Sequence, residues 1–210
     1  YHGDPASCAG MPGLAELLAD PGLRAAPSLL FIEIKESGLA PADFAAALLA
    51  LLDANRNHVR NGRPLFLRAF ASGLPYLQAI QSGLQAYPMI APYLRFSVLY
   101  NQNAIADVAA FQSEIAATVA GNGFHMVELT YQQKHLIGLA THARSLGLGV
   151  GVWTIPGSFG EAFIAALRED VDELTAEYRI DQARIVVEDA NTHAYLNASG
   201  CASAADATVT

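Results

Sequence analysis

Cysteine is scarce: Cys8 and Cys201 are the only two in 210 residues. Two thiols exclude a disulfide framework and a cysteine zinc cluster, and leave open either one bridge or two free side chains. Charge is scarce too, at 15% of residues against 52% apolar. That balance excludes a disordered chain. Basic residues are the rarer sign, 12 against 20 acidic, for a net charge of −8. A general nucleic-acid binder needs a basic face, so none is expected here. No uncharged apolar run of about 18 residues occurs, so no transmembrane segment is expected. The opening YHGDP is no secretory leader, and one would have to lie upstream. The triplet Asn197-Ala198-Ser199 is a glycosylation sequon. It points weakly to a secreted protein, with a cytoplasmic one as the alternative.

What the chain does have is a rhythm. Leu29–Glu36 (LLFIEIKE) reads as a buried strand: short, nearly all apolar, followed by Ser-Gly. Pro41–Ala54 reads as an Ala- and Leu-rich helix with proline at its start. Strands are then expected at Pro64–Ala71, Leu94–Tyr100, Phe124–Tyr131 and Gly149–Ile155. Helices are expected between them, at Gly73–Leu84, Ile105–Ala120 and Gln132–Leu146, the last stopped by Gly147. A helix at Phe159–Glu169, a short strand at Val171–Thr175 and a helix after Asp181 complete six units. Regular alternation predicts a parallel sheet covered by helices. One domain is expected over 1–198, with a loose small-residue tail over 199–210.

Two α/β architectures fit. An open doubly wound sheet calls for a glycine-rich phosphate turn after its first strand, and SGLAPAD is not one. A barrel calls for polar residues at the C-terminal strand ends, where barrel sites form. Glu33, Lys35, Arg68, Tyr100, Asn101, Glu128, Thr130 and Trp153 occupy such places.

Strand alternation puts Glu33 and Lys35 on one face, with Phe31 below them. A carboxylate there can ligate Mg²⁺ or Ca²⁺, and an ammonium beside it can hold a phosphate. Both stabilise charge moving onto phosphoryl oxygens, so a phosphodiester is a suitable substrate. His2, in a Gly- and Pro-flanked turn, could serve as general acid or base if that loop lies at the mouth, or be a plain exposed residue. Trp153 can wall an apolar pocket or pack in a core, and Tyr100 and Arg68 are candidates for the mouth.

YHG, a short Leu-rich helix and IEIKE together resemble the glycerophosphodiester phosphodiesterase superfamily. The closing VGVWTIPGSFGEAFIAALREDVDELTAEY is similar to that family's last two units, and YHGDPASC to its sphingomyelinase D and phospholipase D-type branch. Ala40 to Thr130 matches in rhythm alone. The resemblance implies a (β/α)8 TIM-barrel dependent on Mg²⁺ or Ca²⁺ and acting on a phospholipid or glycerophosphodiester, with transient contact at a membrane surface. It implies His2 and Lys35 as catalytic, Glu33 as a metal ligand, and Lys35 and Trp153 as substrate contacts. Tyr100 and Arg68 join the substrate contacts only by their strand-end positions, and packing or surface roles stay open for both. The family's first histidine and Glu-x-Asp pair belong to its first two strands. The chain is therefore expected to lack two strand–helix units. Ala176 stands where the family has a polar residue, and Ala6 where the toxin-like loop has a cysteine. Two other readings remain: a non-catalytic barrel that binds a phospholipid or protein, and a glycoside-processing barrel using Glu33 and Glu128.

Overall fold

The computed structural model describes residues 13–21, 30–35, 38–59, 64–130 and 132–153. Five of the expected strands form: β1 (Leu30–Glu33), β2 (Leu65–Phe70), β3 (Leu94–Tyr100), β4 (Met126–Thr130) and β5 (Gly149–Trp153). They pair in the order β1-β2-β3-β4-β5, every pair parallel. Each strand thus lies beside the next one in the chain.

That order decides between the two architectures. A doubly wound sheet reverses its strand order partway and carries helices on both faces. Crossovers of one hand that always step in the same direction put every helix on one face. The other face is then the inside of a barrel-type sheet. The fold is α/β of the TIM-barrel type, with five consecutive strands in the described residues.

The connecting helices are α2 (Pro41–Ala54) with the short α3 (Arg56–Val59), α4 (Leu74–Gly83), α5 (Val108–Ile115) and α6 (Leu136–Ser145), and a short α1 (Leu14–Ala19) precedes β1. One turn of π-helix, Ala116–Ala120, extends α5. Pro41 opens α2, where its missing N–H costs nothing. The Asp107 carboxylate caps α5 by accepting the Ala110 N–H at 2.9 Å. That cap explains why the helix begins at Val108 and not at Ile105. Gly147, at φ +77°, turns the chain out of α6, the left-handed geometry that favours glycine there. α6 starts at Leu136, four residues later than expected, because Gln133 holds the His135 N–H through its side chain.

One continuous core fills the space between sheet and helices. Leu67, Phe96, Val98, Val127 and Val150 meet Leu49, Leu77, Ile80, Ile115 and Leu139 there. At Gly83 an added Cβ would lie 2.6 Å from Leu49 Cδ1, so the glycine lets α2 and α4 approach closely. Among the described residues no helix is long and apolar enough to cross a membrane. The expected sixth strand at Val171–Thr175, the tail, His2, Cys8 and Cys201 lie outside the described residues.

Candidate functional site

Strand register builds the site on the face away from the helices. Glu33 stands beside Arg68, and Arg68 beside Ser97. One step nearer the strand ends, Leu99 stands beside Glu128, and Glu128 beside Gly151. Below them Phe31 stacks on Phe66 at 4.7 Å between ring centroids. Glu33, Arg68, Ser97 and Glu128 thus share the inner face, as the parity of IEIKE predicts for Glu33.

These side chains form one polar chain. The Ser97 hydroxyl donates to Glu128 Oε1 at 2.6 Å. Arg68 Nη1 donates to Glu128 Oε2 at 3.0 Å, and Nη2 reaches Glu33 Oε2 at 3.5 Å. The Lys35 ammonium closes the chain on Glu33 Oε1. Side-chain exposure climbs along it, from 0% at Glu128 to 7% at Arg68, 17% at Glu33 and 74% at Lys35. The inner end is fixed and the outer end meets solvent. Two carboxylates face two cations, so the burial of charge is compensated. Rings line the path: Arg68 Cζ lies 5.8 Å from the Phe31 centroid, and Lys35 Nζ 5.5 Å from that of Phe70.

Gly151 makes room for this arrangement. A Cβ there would lie 2.7 Å from Glu128 Cγ and 3.0 Å from Met126 Cε. Beyond the strand ends, the loops after β3 and β4 are tied together. Asn103 Nδ2 donates to Gln132 Oε1 at 2.7 Å, and the Lys134 N–H reaches the Asn103 carbonyl at 3.4 Å. The Gln133 side chain, buried, donates to the Gln102 carbonyl. The rim of the mouth is thus braced by neutral amides.

Not every expected residue reaches this face. Tyr100 does not line the mouth. It follows Leu99, which shares the face of Glu128, so alternation turns it the other way. Its ring packs edge-on against Phe111 of α5 at 4.9 Å, buried in the helical layer. Burial and then the Glu114 charge push its phenol above the usual range. Arg68 does face inward, but it is buried between two carboxylates and not open to a ligand. Glu33 and Glu128 are not the paired acids of a glycosidase either. A guanidinium lies between them, and both Glu128 oxygens are engaged. Trp153 closes β5 in register with Thr130. His2 lies outside the described residues.

Two contributors escaped the reading of the sequence, Ser97 and Gly151. Ser97 is a polar residue at an inward position of LRFSVLY. Gly151 is the gap in GVGVW that its neighbour on β4 fills. Each has a signal, namely a small residue at inner-face parity.

No protein-family model and no curated protein matches the sequence. A solved structure does. It is a proposed glycerophosphoryl diester phosphodiesterase from Silicibacter pomeroyi DSS-3, similar at a TM-score of 0.51 and 20% identity. The match covers 84% of this chain and 52% of that one, so this chain spans about half its length. At such identity the likeness is one of fold, and it agrees with the consecutive parallel strand order.

Proposed function

We propose that the chain forms part of a phosphoric diester hydrolase acting on a glycerophosphodiester or a related phospholipid. The observation that carries this reading is the Glu33–Lys35 pair at the C-terminal end of β1, on the inner face, with Arg68 behind it. The likeness in fold to the Silicibacter pomeroyi protein and the IEIKE resemblance support it.

Lys35 is the residue that can move. At 74% exposure it can leave Glu33 and place its ammonium on a phosphoryl oxygen, where it offsets charge that grows in the transition state. Glu33 is the residue that stays, because Arg68 keeps its other oxygen. Once Lys35 swings away, Oε1 of Glu33 suits a hard cation such as Mg²⁺ or Ca²⁺ as one oxygen ligand. Among the described residues no group of three or more His, Cys, Asp or Glu converges, so Glu33 would be one ligand of a set that they do not complete with such side chains. A bound divalent cation would supply Lewis-acid polarisation of the phosphoryl group. His2 as general acid or base, and Trp153 as a pocket wall, complete the proposal. Release of the head-group alcohol through a cyclic phosphate, contact with a membrane surface, and secretion belong to its finer part.

Turnover of glycerophosphocholine and of lysophosphatidylcholine, followed by choline release, tests the reading. The expected result is activity lost with EDTA and restored by Mg²⁺ or Ca²⁺. Lys35→Met should lower kcat/KM about 100-fold, in the range of a lost charge-stabilising donor. Binding of these diesters without turnover, by the wild-type protein with metal, would instead identify a binding relative. Neither binding nor turnover would end the reading.

A further inference from the structure

β1 offers Glu33 little support of its own. It has four residues, all only partly buried, and pairs with β2 alone among the described strands. A glutamate on such a strand has free rotamers unless something holds its carboxylate. The Arg68 fork does so, and it is itself held from β4, two strands farther on. Glu128 grips Nη1 and is fixed in turn by the Ser97 hydroxyl. Gly151, by lacking a side chain, leaves the space in which Glu128 lies.

Fold stability alone is a poor account of this chain. Buried ion pairs stabilise little relative to apolar residues of the same volume. Apolar residues already fill adjacent inner-face positions, namely Phe66, Leu99 and Met126. What the polar chain provides instead is direction. A planar fork with both ends occupied fixes the angle at which Oε2 is held, and so the direction in which Oε1 faces the mouth.

We propose that Arg68 and Glu128, with Ser97, are positioning residues that set the Glu33 carboxylate for the reaction at the mouth. This assignment rests on the phosphodiesterase reading for its kinetic consequence, but not for its structural one.

The test uses an apolar exchange of the whole pair, Arg68→Met with Glu128→Leu, which leaves no buried charge alone. The expected protein melts near the wild-type temperature. Its kcat on glycerophosphocholine falls about 10- to 100-fold, the cost of misplacing a reacting group by a fraction of an ångström to an ångström, while KM stays within about threefold. Its Glu33 side chain, followed by carbon-13 relaxation of the methylenes, loses order. Arg68→Lys keeps the charge and loses the fork, so it should hold the melting temperature better than it holds kcat. If the double variant does not fold, the Arg68→Lys protein carries both measurements. A folded variant with wild-type kcat and an equally ordered Glu33 would overturn the assignment. A wild-type protein that turns over no diester would end the phosphodiesterase reading, and the order of Glu33 would then decide this one by itself.

Discussion

Lys35 and Arg68 bear the same charge and face the same carboxylate, yet they differ in what they can do. Arg68 is buried and bridges two acids, whereas Lys35 stands in solvent on a flexible stem. An exposed pair of this kind contributes up to about 1 kcal/mol. Lys35→Met is therefore expected to change unfolding free energy in urea by no more than that, even as activity falls. Gly151→Ala, unlike Lys35→Met, is expected to cost stability. The new methyl would strike Glu128 close to its backbone, so about 1–3 kcal/mol of stability is lost by overpacking. Gly149→Ala is the control. Its Cβ would meet Met126 Cγ at an ordinary 3.5 Å, and its urea midpoint should stay near wild type. At this scale the sequence was half legible. The parity of FIEIK placed Glu33 with Phe31 below it, and the structure agrees. The same parity, applied to Phe96, Val98 and Tyr100, would have turned Tyr100 toward the helices. Its polarity at a strand end is what makes it a candidate for the mouth. The Arg68–Glu128 bridge joins residues 60 apart in the chain, and no local pattern encodes such a pairing.

Helices and strands were read more closely than side chains, because their signals are local. The spans of α2 and β3 match the expected Pro41–Ala54 and Leu94–Tyr100. Other ends moved where a side chain intervened, as at Asp107 and Gln133. The junction of β3 and β4 yields a pH dependence. His125 Nδ1 accepts the Phe96 N–H at 3.2 Å, and its backbone N–H donates to the Phe96 carbonyl at 2.9 Å. Burial, followed by the Arg95 charge, lowers its pKa from 6.5 to about 4. Between these values the unfolded chain binds the proton more readily than the folded one, so stability rises with pH. The contribution is intact above pH 6.5 and is lost progressively as pH falls toward about 4. Chemical denaturation across that window should show the slope, and His125→Gln should flatten it. Between α2 and α4, Leu49→Ala is expected to cost about 2–5 kcal/mol by leaving a cavity beside Gly83, read as a lower melting temperature.

Across the whole sheet, protection should be uneven. β3 is buried along nearly its full length and is flanked by a strand on both sides, whereas β1 is half buried throughout. Amide hydrogen exchange is expected to be slowest in β3 and faster in β1. Equal protection in the two would contradict this topology. The rhythm of the sequence announced a parallel sheet but not the order of its strands, since periodicity says nothing about neighbours. The choice of a barrel type rested on a missing glycine turn and on polar strand ends, and the pairing supplied the rest.

That pairing also bears on how the polypeptide is made. A ribosome delivers β2 when β1 is already outside, then β3 when β2 is, and so on to β5. Among the five described strands, none of the four pairings waits for a distant segment still to be synthesised. The sheet can grow by accretion, one edge at a time, and the newest edge is hidden as soon as the following unit emerges.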